Sequence, residues 1–479
     1  MVVVSVFFRT GLGPGSMNFG AGETILVVGL GLSGQASVAV LRERGADCYI
    51  TDDKSQAEIS VALDDVLDRG ARFVPPAQVK RILQKLDAVV ISPGVPITGA
   101  LVRGALAAKV PIFSEIEVAY RLCRAPLVAV TGTKGKSTAT ALIGSLLRAA
   151  GKRVFMGGNI GNPLISEAVQ ASSEDWVVAE VSSFQLECIR SFKPRISVIL
   201  NISPDHLDRY GSMEEYAEAK FRILLNQDAN DTFIGNLDDE RLSEFKRRKS
   251  GTRLHARGLW FTCAMHHEQA NLYLEEDSIL YRARSGFPRT LQIMLRSEIS
   301  LAGDHNVHNV MAALLCGLTL GIDPPVLRAG VMNFVPLPHR LQTVAHLGGI
   351  TFVDDSKATN PGSVMAAMRS FASPIVLIAG GKAKGTDFSE MGAVISERAK
   401  AVVLIGEAGS DIAATLHGPR VERADSMSEA VDRAARLARS GDTVLLSPGC
   451  ASFDMFTSAE DRGQQYAAAI RAYREAAHA

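Results

Sequence analysis

Residues 127–142, LVAVTGTKGKSTATAL, constrain this chain more than any other stretch. An apolar run enters Thr131-Gly132-Thr133-Lys134-Gly135-Lys136-Ser137-Thr138, and a helix-forming pattern resumes beyond it. Between a strand and a helix, such a loop turns backbone N–H groups towards a phosphate. Lys136 can then reach β/γ-phosphate oxygens, and Ser137 can hold Mg²⁺. The spacing departs from G-x-x-x-x-G-K-[ST], because Val130 stands where the first glycine is expected. A basic surface loop is the alternative, but the flanking strand and helix point to ATP, with GTP as the other nucleotide.

Strand-then-helix patterns recur on both sides of this loop. TILVVGLGLSGQASVAVLRERG, ADCYITDD and LDAVVISPGVP read as strands alternating with helices in residues 21–124. DWVVAEVS and ISVILNIS continue the pattern beside the phosphate loop. ANLYLEEDSILYRARSG and TLQIMLRSEISL look like antiparallel strands. After the proline-rich VPLPHR, a linker by composition, come ITFVDDSKATNP, PIVLIAGG, AVVLIGE and DTVLLSPG. The expected fold class is therefore α/β with parallel sheets and ligands at strand C-termini. The expected domains are 21–124, 125–337 and 338–479, since 479 residues exceed one hydrophobic core. Residues 1–20 read as a disordered leader, or as sequence upstream of a start at Met17.

Lys plus Arg equals Asp plus Glu at 51 each, so no global field recruits nucleic acid or an anionic membrane. No apolar run approaches the roughly 20 residues of a membrane helix. The expectation is a cytoplasmic protein without membrane insertion. Its six cysteines are scattered without paired spacing, which suggests buried reduced thiols rather than a zinc site or disulfides.

Gly29, Gly31 and Gly34 form G-x-G-x-x-G between a strand and a helix, and Asp52 and Asp53 lie where a ribose-binding acid is expected. Nucleotide binding, a redox dinucleotide and a structural turn all remain open for this motif. Glu180 ends one strand and His206 follows another, so both could ligate a metal on the phosphate-loop edge. Singly, Glu180 could cap a helix and His206 could hydrogen-bond a turn. Lys220, on MEEYAEAKFRILL, reads by composition as part of an exposed helix face.

TGTKGKST, GGNIG, EVSSFQLE, NISPDHLDRY, GDHNVHN, LPHR, DDSKATNP and LSPGCASFD together resemble the Mur ligases of peptidoglycan synthesis, from about residue 21 to the C-terminus. The motifs are most similar to those of members that add D-glutamate to UDP-N-acetylmuramoyl-L-alanine. The resemblance implies a Rossmann-like UDP-binding domain, a central P-loop-type ATPase domain with a mostly parallel sheet, and a C-terminal Rossmann-like domain for the amino acid. It implies ATP contacts from Gly132, Thr133, Lys134, Gly135, Lys136, Ser137, Thr138, Asn306, Asn309, Arg340 and Asp355. Two Mg²⁺ sites would draw on Ser137, Glu180, His206 and Lys220.

The resemblance also reverses the reading of Lys220, which matches a lysine that relatives carry as a carbamate. Gly29, Leu32, Ser33, Asp52, Asp53, Lys54, Ser92 and Gly94 would line the UDP end of the acceptor. Asn159, Ser182 and His206 would lie further along it, and His339, Lys357, Thr359, Lys384 and Ser452 would serve the glutamate side. His206 and Lys357 are candidates for orienting or deprotonating the reactants, with Lys136 and Lys220 as the other catalytic groups. Two positions depart from the family pattern: Lys382 replaces an acid, and Ala459 replaces an aromatic. The implied reaction makes an acyl phosphate from ATP and the acceptor carboxylate, which the amine of D-glutamate then attacks. A sibling ligase taking another amino acid, a non-catalytic UDP-sugar sensor and an oxidoreductase are the alternatives. A monomer is expected.

Overall fold

The computed structural model describes residues 17–206, 209–248, 255–264, 268–282, 290–301, 303–383 and 386–478. Three sheets form, each where the sequence runs apolar between glycine turns. In the first, β1 (Thr24–Val28), β2 (Asp47–Thr51), β3 (Arg72–Phe73), β4 (Ala88–Ile91) and β5 (Ile112–Ser114) pair parallel in the order β3-β2-β1-β4-β5. Chain order reverses beside β1, so the crevice beyond the C-terminal ends of β1 and β4 is the ligand position such sheets favour.

The second sheet contains β6 (Leu127–Thr131), β7 (Val154–Gly158), β8 (Trp176–Glu180), β9 (Ile196–Ile199), β10 (Thr232–Asn236), β11 (Arg257–Thr262), β12 (Leu272–Glu275), β13 (Ser278–Arg282) and β14 (Thr290–Leu295). Its order is β14-β13-β12-β11-β10-β9-β6-β8-β7. Pairing is parallel except for β12–β13 and β13–β14, the antiparallel strands that the sequence pattern predicts. All five residues of β6 are buried, as suits a parallel strand covered on both faces. β7, β10 and β11 were not read from the sequence.

The third sheet orders β15 (Gln342–Leu347), β16 (Ile350–Asp354), β17 (Ile375–Gly380), β18 (Ala399–Ile405), β19 (Arg420–Arg423) and β20 (Thr443–Gly449) as β15-β16-β20-β17-β18-β19. β15 pairs antiparallel with β16 and the rest is parallel. The edge strands β15 and β19 are only partly buried, and their mixed polarity hid them in the sequence.

The chain divides into two compact units. One comprises Met1–Glu298 with His308–Phe334, and the other Ile299–Val307 with Val335–Ala479. The first two sheets thus share one unit, for a reason visible in the helix Glu115–Leu122 that follows β5. Buried Glu115 accepts from the Ile165 amide at 2.6 Å, and buried Glu117 accepts from the amides of Arg190, Ser191 and Phe192. These carboxylates lock the first sheet onto the second.

The leader expected over 1–20 needs correction at its end, while residues 1–16 lie outside the described residues. Phe19 is fully buried, edge-on to Phe113 at 5.5 Å, and Arg44 donates to the Phe19 and Asn18 carbonyls. Among the described residues, no helix is long and apolar enough to cross a membrane.

Candidate active site

The phosphate loop joins β6 to the helix Lys136–Ala149. Gly135 is the helix N-cap at φ +81°, a conformation that an L side chain rarely adopts. It also carries the close approach of Asn309: a Cβ on Gly135 would stand 2.3 Å from Asn309 Oδ1. The loop is pinned from the other side by Asn201, beyond β9. Asn201 Oδ1 accepts from the Thr133 and Lys134 amides at 3.1 and 2.8 Å, and its Nδ2 donates to Lys134 O at 3.1 Å. Thr133 Oγ1 also accepts from the Ser203 amide and meets Tyr216 Oη at 3.1 Å. Asn201, Ser203 and Tyr216 therefore brace the loop from beyond β9.

Two lysines converge on one carbonyl. Lys136 Nζ donates to Gly132 O at 2.9 Å and to Thr133 O at 2.8 Å, and Lys220 Nζ donates to Gly132 O at 2.8 Å. Lys220 is 1% exposed, so the surface reading of its helix, Met213–Phe221, fails at this residue. Burial, and next the charge of Lys136, hold its amine well below the usual lysine range. An uncharged buried amine can react with CO₂, which an ammonium cannot.

Glu180 ends β8 with 2% exposure. Asn159 Nδ2 donates to its Oε1 at 2.7 Å, but its Oε2 is buried without a hydrogen-bond partner. A buried carboxylate oxygen left unpaired is costly, and a hard cation would relieve it. Ser137 lies buried in the first turn of the loop helix. His206 has φ +54° and packs its ring 4.7 Å from that of Phe184, with Asp205 Oδ2 3.7 Å from its Nε2. The oxygen and imidazole donors expected for Mg²⁺ thus follow β6, β8 and β9 on one sheet edge, and the orphaned Glu180 oxygen fits them. Ser182 spends its hydroxyl in a capping box with Gln185, which fixes the short helix Ser183–Leu186.

At the first sheet, Gly34 must lack a Cβ, which would meet Gly29 O at 1.9 Å. Ser92 Oγ donates to that same carbonyl at 2.9 Å, joining the turns after β1 and β4. Asp52 accepts from the Leu30 amide at 2.7 Å and the Lys54 amide at 2.9 Å, so its carboxylate shapes the turn. Leu32 is 72% exposed, with Asp53, Lys54 and Gly94 also at the surface and Ser33 half-buried.

In the second unit, His339 at φ +66° bonds Asp354 Oδ2 through Nδ1 at 2.7 Å. Buried Asp355 accepts from Ser447 Oγ at 2.9 Å, and burial pushes its carboxyl up to about 7 against the pull of Ser447 and Arg340. Lys357 is ion-paired with Glu460, next to Ala459. Thr359 is exposed, whereas Ser452 is buried. Asn306 belongs to this unit and Asn309 to the first. Lys384 lies outside the described residues.

Three structural residues escaped the sequence reading. Asn201 and Arg209 both lie within NISPDHLDRY, where no local signal marks their partners. Arg209 donates to Glu187 at 2.5 Å and to the Pro93 and Val95 carbonyls at 3.3 Å, so it ties the turn after β4 to the second sheet. Arg462 is fully buried and donates to Ser356 O at 2.7 Å and Cys450 O at 3.1 Å. Only distance information across more than a hundred residues exposes such pairs as Arg209 with Pro93.

Comparison with known proteins gives three family matches in chain order. A Mur ligase MurD-like N-terminal domain matches residues 23–114, a Mur ligase middle domain 130–317, and a Mur ligase glutamate ligase domain 339–450. The UDP-N-acetylmuramoylalanine--D-glutamate ligase of Koribacter versatilis is 39% identical over 95% of this chain and 98% of its own length. The ligase of the same name from Pelobacter propionicus is 43% identical over 94% and 99%. Among solved structures, the UDP-N-acetylmuramate-alanine ligase MurC of Thermotoga maritima superposes with TM-score 0.59 at 20% identity, covering 95% of this chain and 99% of that one. The MurF ligase of Thermotoga maritima in complex with ADP gives 0.58 at 17%, covering 90% and 95%. At those identities the two structures speak for the fold alone.

Proposed function

As the chain belongs to the Mur ligase family, we propose that it joins D-glutamate to UDP-N-acetylmuramoyl-L-alanine at the expense of ATP, in peptidoglycan precursor synthesis. The observation that carries this reading is the shared Gly132 carbonyl, with Lys136 on one side and a buried Lys220 of lowered basicity on the other. Full-length similarity to enzymes named for this reaction supports it. The acceptor is nucleotide-linked and the phosphoryl donor is ATP, which suits a cytoplasmic enzyme.

A carboxylate resists attack by an amine because its leaving group would be oxide. Moving the ATP γ-phosphoryl to the acceptor carboxylate replaces that leaving group with phosphate. The amide N–H groups at the N-terminus of the helix Lys136–Ala149 and the Lys136 ammonium would face the charge that builds on the transferred group. Mg²⁺, when bound by Ser137, Glu180 and His206, supplies positive charge to the phosphate oxygens. Lys220 as a carbamate would turn a repelled cation into an anionic oxygen ligand; its suppressed basicity supports that chemistry. Asn159 orients Glu180 through Oε1 and leaves Oε2 for the metal.

Asp52 and Ser92 would shape the turn that receives the UDP end, with exposed Leu32 offering an apolar surface to the base. His339, Lys357, Thr359, Lys384 and Ser452 would receive the amino acid, and Lys357 must leave Glu460 to do so. The test is phosphate release from ATP with UDP-N-acetylmuramoyl-L-alanine, comparing D-glutamate with L-glutamate, L-lysine and diaminopimelate. Release that needs both acceptor and D-glutamate, with the amide product found by mass, is the expected result. Release with another amino acid moves the chain to a sibling activity. Tight UDP-sugar binding without release would leave a sensor.

A further inference from the structure

Among the described residues, one cluster unites three different metal-ligating side chains: Asp238, Cys263 and His308. Asp238 follows β10, Cys263 follows β11, and His308 lies on the helix Asp304–Thr319. The first two leave the same sheet edge as the phosphate loop. The donor atoms all lie within 4.8 Å of one another, and His308 Nε2 is 3.0 Å from Asp238 Oδ2. Donors placed tetrahedrally around Zn²⁺ are about 3.3–3.8 Å apart. The cluster therefore closes on an ion by turning partly exposed side chains.

Asp238 is held from behind, and the other two donors pack on apolar neighbours. Thr262 Oγ1 donates to Asp238 Oδ1, and the Cys263 amide donates to Asp238 Oδ2 at 2.6 Å. The His308 ring packs 6.4 Å from that of Phe261. Cys263 Sγ sits 3.4 Å from Sδ of fully buried Met311. Such outer contacts fix donor direction. A carboxylate, an imidazole and a thiol together suit borderline-soft Zn²⁺ rather than Mg²⁺, which takes oxygen ligands.

We propose that Asp238, Cys263 and His308 form a Zn²⁺ site distinct from the Mg²⁺ ligands of the phosphate loop. Cys263 loses its proton to solvent on binding, and water completes the fourth position. His308 directly precedes Asn309, whose side chain packs on Gly135. An ion there anchors the residue that supports the loop's cap, so the site is placed to steady nucleotide binding.

Cobalt tests this on the full chain in excess Mg²⁺. One equivalent of Co²⁺ should give a near-ultraviolet thiolate charge-transfer band that Zn²⁺ erases and further Mg²⁺ does not. Cys263→Ser should abolish the band. His308→Gln and Asp238→Asn should weaken Co²⁺ binding at least about 100-fold, the upper end of what loss of an outer-shell partner costs. Circular dichroism confirms that each variant is folded, and the His308 and Asp238 variants decide if Cys263→Ser is not. Absence of the band, its survival in Cys263→Ser, or unchanged affinity in His308→Gln and Asp238→Asn would overturn the proposal.

Discussion

Gly135→Ala separates backbone strain from crowding in the phosphate loop. At φ +81°, alanine pays about 1–2 kcal/mol for the left-handed backbone. Its Cβ would stand 2.3 Å from Asn309 Oδ1 and 3.1 Å from Asn309 Cγ. Asn309 is 2% exposed and has no open side to move into, so overpacking adds about 1–3 kcal/mol. The total is about 2–5 kcal/mol. Urea melts of Gly135→Ala, Asn309→Ala and the double variant resolve the two parts, because deleting the carboxamide removes the clash but not the strain. The double variant should be more stable than additivity allows by about 1–3 kcal/mol. Strict additivity, or a Gly135→Ala protein as stable as wild type, would refute the reasoning.

Asp355 makes stability depend on pH. Its folded value of about 7 lies above the ordinary 3.8, so folding favours the protonated form. The cost is absent below 3.8, grows as pH rises and is complete above about 7, at about 4 kcal/mol. Asp355→Asn should flatten that decline in urea melts across the window; an equally steep variant would contradict it. Glu180→Gln should raise the Mg²⁺ concentration for half-maximal activity by at least about tenfold, and an unchanged Mg²⁺ titration would remove Glu180 from the metal. Arg209→Ala should cost about 1–3 kcal/mol, as for leaving a buried acceptor short of a partner, because Arg209 is only partly buried and Tyr210 Oη still bonds Glu187 at 2.8 Å. It should also raise KM for the UDP-linked acceptor more than for ATP, and equal effects on both would argue against its tie to the turn after β4.

The parallel strands were legible because burial on both faces leaves uninterrupted apolar runs, as in LVAVT and AVVI. The strand–loop–helix turn at Thr131–Thr138 was legible because its glycines and flanking elements are local to eight residues. Lys220 was not, since glutamates at 214, 215 and 218 give its helix an exposed look while its own side chain points into the protein. Composition read it as surface, which its 1% exposure overturns. The union of the first two sheets depends on Glu115 and Glu117 finding amides 50 to 75 residues away, which no local pattern encodes. Cys263 illustrates the same limit. Cysteine spacing suggested no metal, and its candidate partners stand 25 and 45 residues away along the chain.

The most direct test of the ligase mechanism labels the acceptor. UDP-N-acetylmuramoyl-L-alanine carrying ¹⁸O in its alanyl carboxylate is turned over with ATP and D-glutamate, and the released phosphate is weighed. Transfer of one ¹⁸O into each phosphate is the expected result, because the carboxylate oxygen bridges to phosphorus before the amine displaces it. Unlabelled phosphate alongside amide product would contradict an acyl-phosphate route.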